Sequence, residues 1–126
     1  GLGILRRVND WMRGHVEFLL LSTLEHEPAH GYGLVEILRE RSEGAFDLAE
    51  GTVYPSLYRL ERKRLVTSRW ESMHGRRRRV YRLTKRGQEE LAGHRSLWRT
   101  FVRAMDALGA SAWAPAPDIS PLGRGG

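Results

Sequence analysis

The chain has no cysteine among its 126 residues. That absence excludes a disulfide framework, a thiolate zinc site, iron–sulfur ligation and a thiol nucleophile, and with them the small secreted scaffolds. Long apolar runs are lacking too. Stretches such as Phe18 to Leu21 fall far short of the roughly 20 residues that a membrane span needs, and no signal-peptide pattern opens the chain. The expectation is a soluble, cytoplasmic protein with no membrane partner. No acid pair, nucleophile or phosphate-cradling glycine loop is present, and His15, His74 and His94 are scattered. The length suits one domain and leaves no room for a cofactor domain beside a substrate domain. With 40% apolar and 9% aromatic residues, the composition supports a folded core rather than disorder.

One catalytic pattern does occur. His26-Glu27-Pro28-Ala29-His30 spells H-E-x-x-H, the zinc protease signature. That chemistry needs both histidines on one face of a continuous helix, with the glutamate beside a metal-bound water. Pro28 stands between them, directly before Gly31-Tyr32-Gly33, so the helix is expected to end inside the motif. Neither an enzyme nor a metal or cofactor site is expected.

Charge is where the sequence speaks. The net balance is +6, but the stretch from Thr52 to Gly87 holds twelve basic residues against only Glu61 and Glu71, while the remainder is mildly acidic. A local basic field beside an acidic remainder is the pattern of a nucleic-acid footprint. Arginine outnumbers lysine nineteen to two. This suits forked contacts to phosphate and guanine, although a GC-rich genome yields the same ratio.

Periodicity orders the chain. Residues 1–14 read as an amphipathic helix through Ile4, Leu5, Val8, Trp11 and Met12. A more apolar helix follows from Val16 to Leu24, then a third from Gly31 to about Arg41, and a turn at Ser42 to Asp47. The next helix is predicted from Thr52, as its N-cap, to Arg64, with Pro55 in the first turn where a missing N–H costs nothing. Val66 to Met73 and Arg79 to Leu83 alternate like strands, with a hairpin tip at His74 to Arg77. Thr84 is the expected N-cap of a long helix to about Leu108, whose Leu91, Trp98, Phe101, Val102, Met105 and Leu108 recur on a roughly seven-residue repeat. Residues 110–126, rich in Ala, Pro and Gly, read as a flexible tail.

The fold expected is mostly α with a small β-hairpin. It is a winged helix-turn-helix over residues 15–84, preceded by the N-terminal helix and followed by a dimerisation helix over 85–109. The helix beginning at Thr52 is the recognition helix, and only its outer face can read bases in the major groove. Candidate DNA contacts on it are Pro55, Ser56, Tyr58, Arg59, Arg62 and Lys63, with Thr52 and Tyr54 near its N-terminus suited to phosphate. Gly75, Arg76 and Arg77 at the hairpin tip are candidates for the phosphates or the minor groove. An ordinary solvated face and a solubilising arginine loop would leave the same marks. Trp11, Trp98 and Phe101 are candidates for a dimer core or for a cleft that stacks a flat apolar effector. The alternative for the last helix is to fold back on its own domain. A winged-helix core does not need it, however, and the preferred pairing is with the N-terminal helix over 1–14, as a dimer contact, and with a second subunit, spacing two recognition helices about 34 Å apart.

The sequence also resembles the PadR family of bacterial transcriptional regulators. The resemblance is carried by Gly31-Tyr32-Gly33-Leu34, by Glu50-Gly51-Thr52-Val53-Tyr54-Pro55-Ser56-Leu57-Tyr58-Arg59-Leu60-Glu61, by Leu65-Val66-Thr67-Ser68-Arg69-Trp70, and by Gly75-Arg76-Arg77-Arg78 followed by Tyr81-Arg82-Leu83-Thr84. It covers about residues 15 to 95. It implies a dimeric winged-helix repressor bound to a two-fold DNA operator and often released by a small molecule, with Thr52, Tyr54, Pro55 and Arg59 on the recognition helix and Arg76 and Arg77 on the wing. The family usually has a glycine just after the recognition helix, where this chain reads Arg62-Lys63-Arg64-Leu65. Arg64 must then take a left-handed conformation, or the helix must end differently. Two other readings stand beside the regulator: a ligand-binding or protein-interaction module on a winged-helix scaffold, and a non-specific nucleic-acid or RNA binder.

Overall fold

A computed structural model describes residues 15–109. The helix expected over residues 1–14, with Trp11, and the tail over 110–126 lie outside the described residues. The elements run α1 (Val16–His26), β1 (Ala29–His30), α2 (Gly31–Arg41), α3 (Glu50–Arg62), β2 (Val66–Met73), β3 (Arg76–Leu83) and α4 (Lys85–Ala107). The three strands form one antiparallel sheet in the order β1-β3-β2. The chain divides into two units after His94.

The first unit is built around α1. Val16, Leu19, Leu20, Leu21 and Leu24 bury most of its circumference, as the near-continuous apolar run requires. Leu34, Val53, Leu57, Leu60, Val66 and Leu91 join them in one core. After His26 the backbone of Glu27 is extended, and His30 emerges from β1 to begin α2. The two histidines of H-E-x-x-H therefore belong to different elements. Among the described residues no group of His, Asp and Glu is arranged to hold a metal ion, and no helix is long and apolar enough to cross a membrane.

His30 has a local task instead. Its Nδ1 accepts the Gly33 backbone N–H at 3.1 Å and caps α2, serving one of the N–H groups that a helix start leaves without a partner. Burial, and then the positive charge of Arg78, hold its imidazolium below the usual histidine range.

Two expectations about α3 and the hairpin are corrected. Thr52 does not cap α3. The helix starts at Glu50 with Ala49 as its N-cap, and the Ala49 carbonyl already accepts the N–H groups of Thr52 and Val53 at 2.9 and 3.1 Å. The helix therefore begins without a side-chain cap, where the Thr52 hydroxyl was expected to supply one, and Glu50 complements the positive end of the helix dipole. Pro55 consequently lies inside the helix, where its missing N–H removes the donor that would bond the Gly51 carbonyl. The hairpin tip is also shorter than expected. It consists of His74 and Gly75 alone, both at positive φ (53° and 77°), while Met73 already pairs with Arg76. Two successive left-handed residues make the tight turn whose twist matches the strands, so Arg76 and Arg77 are strand residues of β3.

Arg64 does take the left-handed conformation, at φ 64°. Its N–H bonds the Glu61 carbonyl and the Leu65 N–H bonds the Leu60 carbonyl, both at 2.9 Å. This is the paired closure that normally uses glycine. Thr84 ties the turn to the next helix. Its hydroxyl donates to the Arg64 carbonyl at 2.7 Å and accepts the Gly87 N–H at 3.0 Å, capping α4 as expected. Gly87 is needed there because a Cβ would run into the Leu65 carbonyl oxygen.

The second unit contains the rest of α4. Leu97, Trp98, Phe101 and Val102 on the helix and Leu108 just beyond it are exposed. The Trp98 and Phe101 rings stand 5.7 Å apart in a tilted contact.

Candidate nucleic-acid interface

Helix α3 presents four different faces. At about 100° per residue, Val53, Ser56, Leu57 and Leu60 share the inner face, and all four are buried. Ser56 was expected to face outward and does not. Fully buried, it donates its hydroxyl to the Thr52 carbonyl at 2.8 Å and accepts from Arg59 Nη2 at 3.0 Å. It cannot reach a base edge. The correction has a simple cause: a small hydroxyl satisfied within its own helix can sit among apolar neighbours without the penalty of an unmet hydrogen bond.

The outer face carries Gly51, Pro55, Tyr58 and Arg62, all exposed or partly exposed. The Arg62 guanidinium lies 5.8 Å from the Tyr58 ring centroid. Stacking of this kind leaves the N–H edges of the guanidinium open to an acceptor while limiting its rotamers. An aromatic and a cation one turn apart, on a helix face free of the core, match what a major-groove contact requires.

The remaining two faces are engaged within the protein. On one flank, Arg59 Nε and Lys63 Nζ donate to the Glu17 carboxylate of α1 at 3.2 and 2.9 Å. Partial burial of Glu17 raises its pKa, but the bonds and charges of Lys63 and Arg59 outweigh that and hold it below the ordinary carboxylate value. Arg59 and Lys63 are thus solvent-accessible but already share one anion. On the other flank, Tyr54 lies over the start of α2, where a Cβ on Gly31 would come within 2.5 Å of its ring. Glu61, on the same flank, accepts the Ser68 hydroxyl at 2.7 Å and lies 3.9 Å from Arg79, joining α3 to the hairpin. Thr52 remains exposed near the helix start.

The hairpin sorts the arginine run by register. Trp70 is opposite Arg79 and Ser72 is opposite Arg77, whereas Glu71 is opposite Arg78 and Met73 is opposite Arg76. Alternation along a strand puts Trp70, Ser72, Arg77 and Arg79 on one face and Glu71, Arg76 and Arg78 on the other. Gly75 is exposed at the tip, and Arg76 and Arg77 are exposed on opposite faces of β3. On the face of Arg76 and Arg78, Glu71 forms an ion pair with Arg82. Neither Glu17 nor Trp70 was a candidate from sequence. Nothing local marks Glu17, which is 42 residues from Arg59, while the alternation of the strands contained the signal for Trp70 and Arg79.

Comparison with known proteins agrees with this architecture. The model of the transcriptional regulator PadR-like family matches residues 20–93. A transcriptional regulator of Mycobacterium tuberculosis is 33% identical over 96 residues, covering 76% of this chain and 87% of that protein. Among solved structures, a PadR family transcription regulator from Clostridium difficile is 34% identical with a TM-score of 0.67, covering 75% of this chain and 97% of that one. A PadR family regulator from Eggerthella lenta is 30% identical with the same TM-score, over 82% of this chain and 88% of that one. With the winged helix in place, a basic aromatic helix face directed away from the core and these relatives, the chain belongs to the PadR-like family of transcriptional regulators, which are DNA-binding proteins and not enzymes.

Proposed function

We propose that the protein is a repressor that binds a two-fold operator as a homodimer, with α3 in the major groove of each half-site. The observation that carries this reading is the outer face of α3, where Pro55, Tyr58 and Arg62 stand clear of the core while both flanks are tied to neighbouring elements. Arg62 and Tyr58 then supply base-edge or backbone contacts, Thr52 and Tyr54 flank them near the helix start, and Arg76 and Arg77 add phosphate contacts from the wing. Arg59 and Lys63 contribute on the flank they share with Glu17.

The second subunit is the partner for the apolar stripe of α4. Leu97, Trp98, Phe101, Val102 and Leu108 are exposed on one short stretch, more contiguous apolar surface than a solitary helix in water favours. Pairing two such helices about a two-fold axis buries the stripe and sets the half-site spacing near one turn of DNA, about 34 Å. An aromatic effector that stacks on Trp98 or Phe101 would change that spacing and release the operator.

Titration against the DNA upstream of its own gene and against scrambled DNA, at two salt concentrations, tests the reading. Preference for the first is expected, with Arg62→Ala weakening it by roughly 1–3 kcal/mol if the guanidinium reads a base. Equal binding to both would favour a non-specific nucleic-acid binder, and no binding would favour an interaction module. Sedimentation of the protein, compared with Phe101→Glu, checks the dimer.

A further inference from the structure

The wing holds a large aromatic side chain that the core does not use. Trp70 is 55% exposed, although burying a tryptophan is ordinarily one of the larger gains available to a small domain. Two guanidiniums cover it instead: the Arg77 and Arg79 carbons each stand 5.9 Å from the ring centroid. Arg79 comes from directly across the hairpin and Arg77 from the diagonal position on the same face. That face is the one joined to α3, since Ser68, two residues before Trp70 in β2, donates to Glu61, and Arg79 lies beside the same carboxylate.

We propose that Trp70 is a positioning residue that holds Arg77 and Arg79 as a paired phosphate clamp next to α3, so that alternate members of the arginine run, and not its first two, make the main wing contact with the DNA backbone. The inference rests on the reading of α3 as the DNA-binding helix. Its physical basis is the way a stacked guanidinium is used. The ring attracts the cation through its π face and takes no N–H donor, so stacking leaves the donors of Arg77 to phosphate oxygens, and Arg79 keeps those not turned toward Glu61. Stacking also removes rotamer freedom before DNA arrives, which lowers the entropy lost on binding. Among the described residues no aromatic ring serves Arg76 or Arg78 in this way. They point to the other face, where Arg78 stands near His30 and where Glu71 contributes an opposing charge.

The test is a mutant cycle read by binding to both upstream and scrambled DNA across a salt series. Arg77→Ala with Arg79→Ala is expected to flatten the slope of log K against log salt by about 1.8, at roughly 0.9 for each phosphate that is no longer neutralised. Arg76→Ala with Arg78→Ala should flatten it less. Trp70→Ala should weaken binding to both DNAs by roughly tenfold, as expected when two long side chains must instead be ordered on binding, and Trp70→Phe should recover most of the loss. In the background lacking Arg77 and Arg79, Trp70→Ala should add nothing further. A full additional loss in that background would mean that Trp70 touches the DNA itself or merely supports the hairpin, and would overturn the proposal. So would an equal slope change from the two arginine pairs. If the wild-type protein binds DNA and loses it on Arg62→Ala while Trp70→Ala is silent, only the clamp fails. If the wild-type protein binds neither DNA at low salt, the clamp falls together with the reading of α3.

Discussion

Replacing Arg64 with glycine should stabilise the protein, and the size of the gain follows from the backbone. Arg64 is held at φ 64° by two hydrogen bonds that close α3, one from its own N–H to Glu61 and one from Leu65 to Leu60. The left-handed conformation costs an L-residue with a Cβ about 1–2 kcal/mol. Glycine avoids this cost but gives back about 0.4–1 kcal/mol because its unfolded chain is freer. The Arg64 side chain is exposed, so little packing is lost. The net gain is about 0.5–1 kcal/mol, or roughly 3–6 °C in the thermal midpoint for a domain of this size. Urea unfolding followed by circular dichroism should show a higher midpoint with an unchanged slope. Arg64→Ala separates strain from charge, because it removes the guanidinium and keeps the Cβ. It should stay within about 0.5 kcal/mol of the parent. A glycine variant no more stable than the parent would refute the strain argument. An alanine variant that gains as much as glycine would show that relief of repulsion among basic side chains, and not backbone strain, was responsible.

Three further outcomes follow from the same structure. Glu17→Gln should leave Arg59 and Lys63 without their shared anion, cost about 0.5–1 kcal/mol of stability, and raise affinity for scrambled DNA in a filter-binding assay; unchanged non-specific affinity would mean that Glu17 does not restrain them. Because the Glu17 carboxyl is held below its ordinary value of 4.5, its contribution should be present above that pH and disappear as the pH falls through the lowered value, a dependence that Glu17→Gln should lack. His30 runs the other way from a partnered histidine: its pKa is lowered, so stability should fall as the pH drops below about 6.5 and the unfolded chain takes up the proton first. His30→Asn, which keeps an N-cap acceptor that does not titrate, should flatten urea midpoints measured between pH 5 and 8. Gly87→Ala should cost about 1–3 kcal/mol, because the new Cβ forces α4 away from the Leu65 carbonyl, and a thermal midpoint equal to the parent's would show that the contact relaxes freely.

Much of the fold was legible because its signals are local. The apolar run from Val16, the break at Pro28, the span of α2 from Gly31 to Arg41 and the cap at Thr84 all depend on a few neighbouring residues. The left-handed Arg64 was one of two outcomes that the resemblance left open, at the position where the family usually has glycine. The errors came where the backbone had two local solutions. An uncapped start at Ala49 replaced the hydroxyl cap expected at Thr52, and a two-residue turn at His74 and Gly75 replaced a longer tip. Neither changes the order of elements, yet each changes which side chains are presented.

By itself, then, the sequence determined the kinds and order of the elements other than the two-residue β1, which exists only through its pairing with β3, together with the family and the concentration of positive charge on one helix and one hairpin, since periodicity, capping and composition are properties of neighbouring residues. Only the tertiary structure decided how that charge is distributed. Arg59 and Lys63 meet Glu17 because α1 packs against α3, Ser56 turns inward because the core closes over that face, and Arg77 and Arg79 meet Trp70 because the hairpin adopts one register. A charge is available to DNA only if nothing nearer has taken it, and what is near is settled when distant segments of the chain pack together.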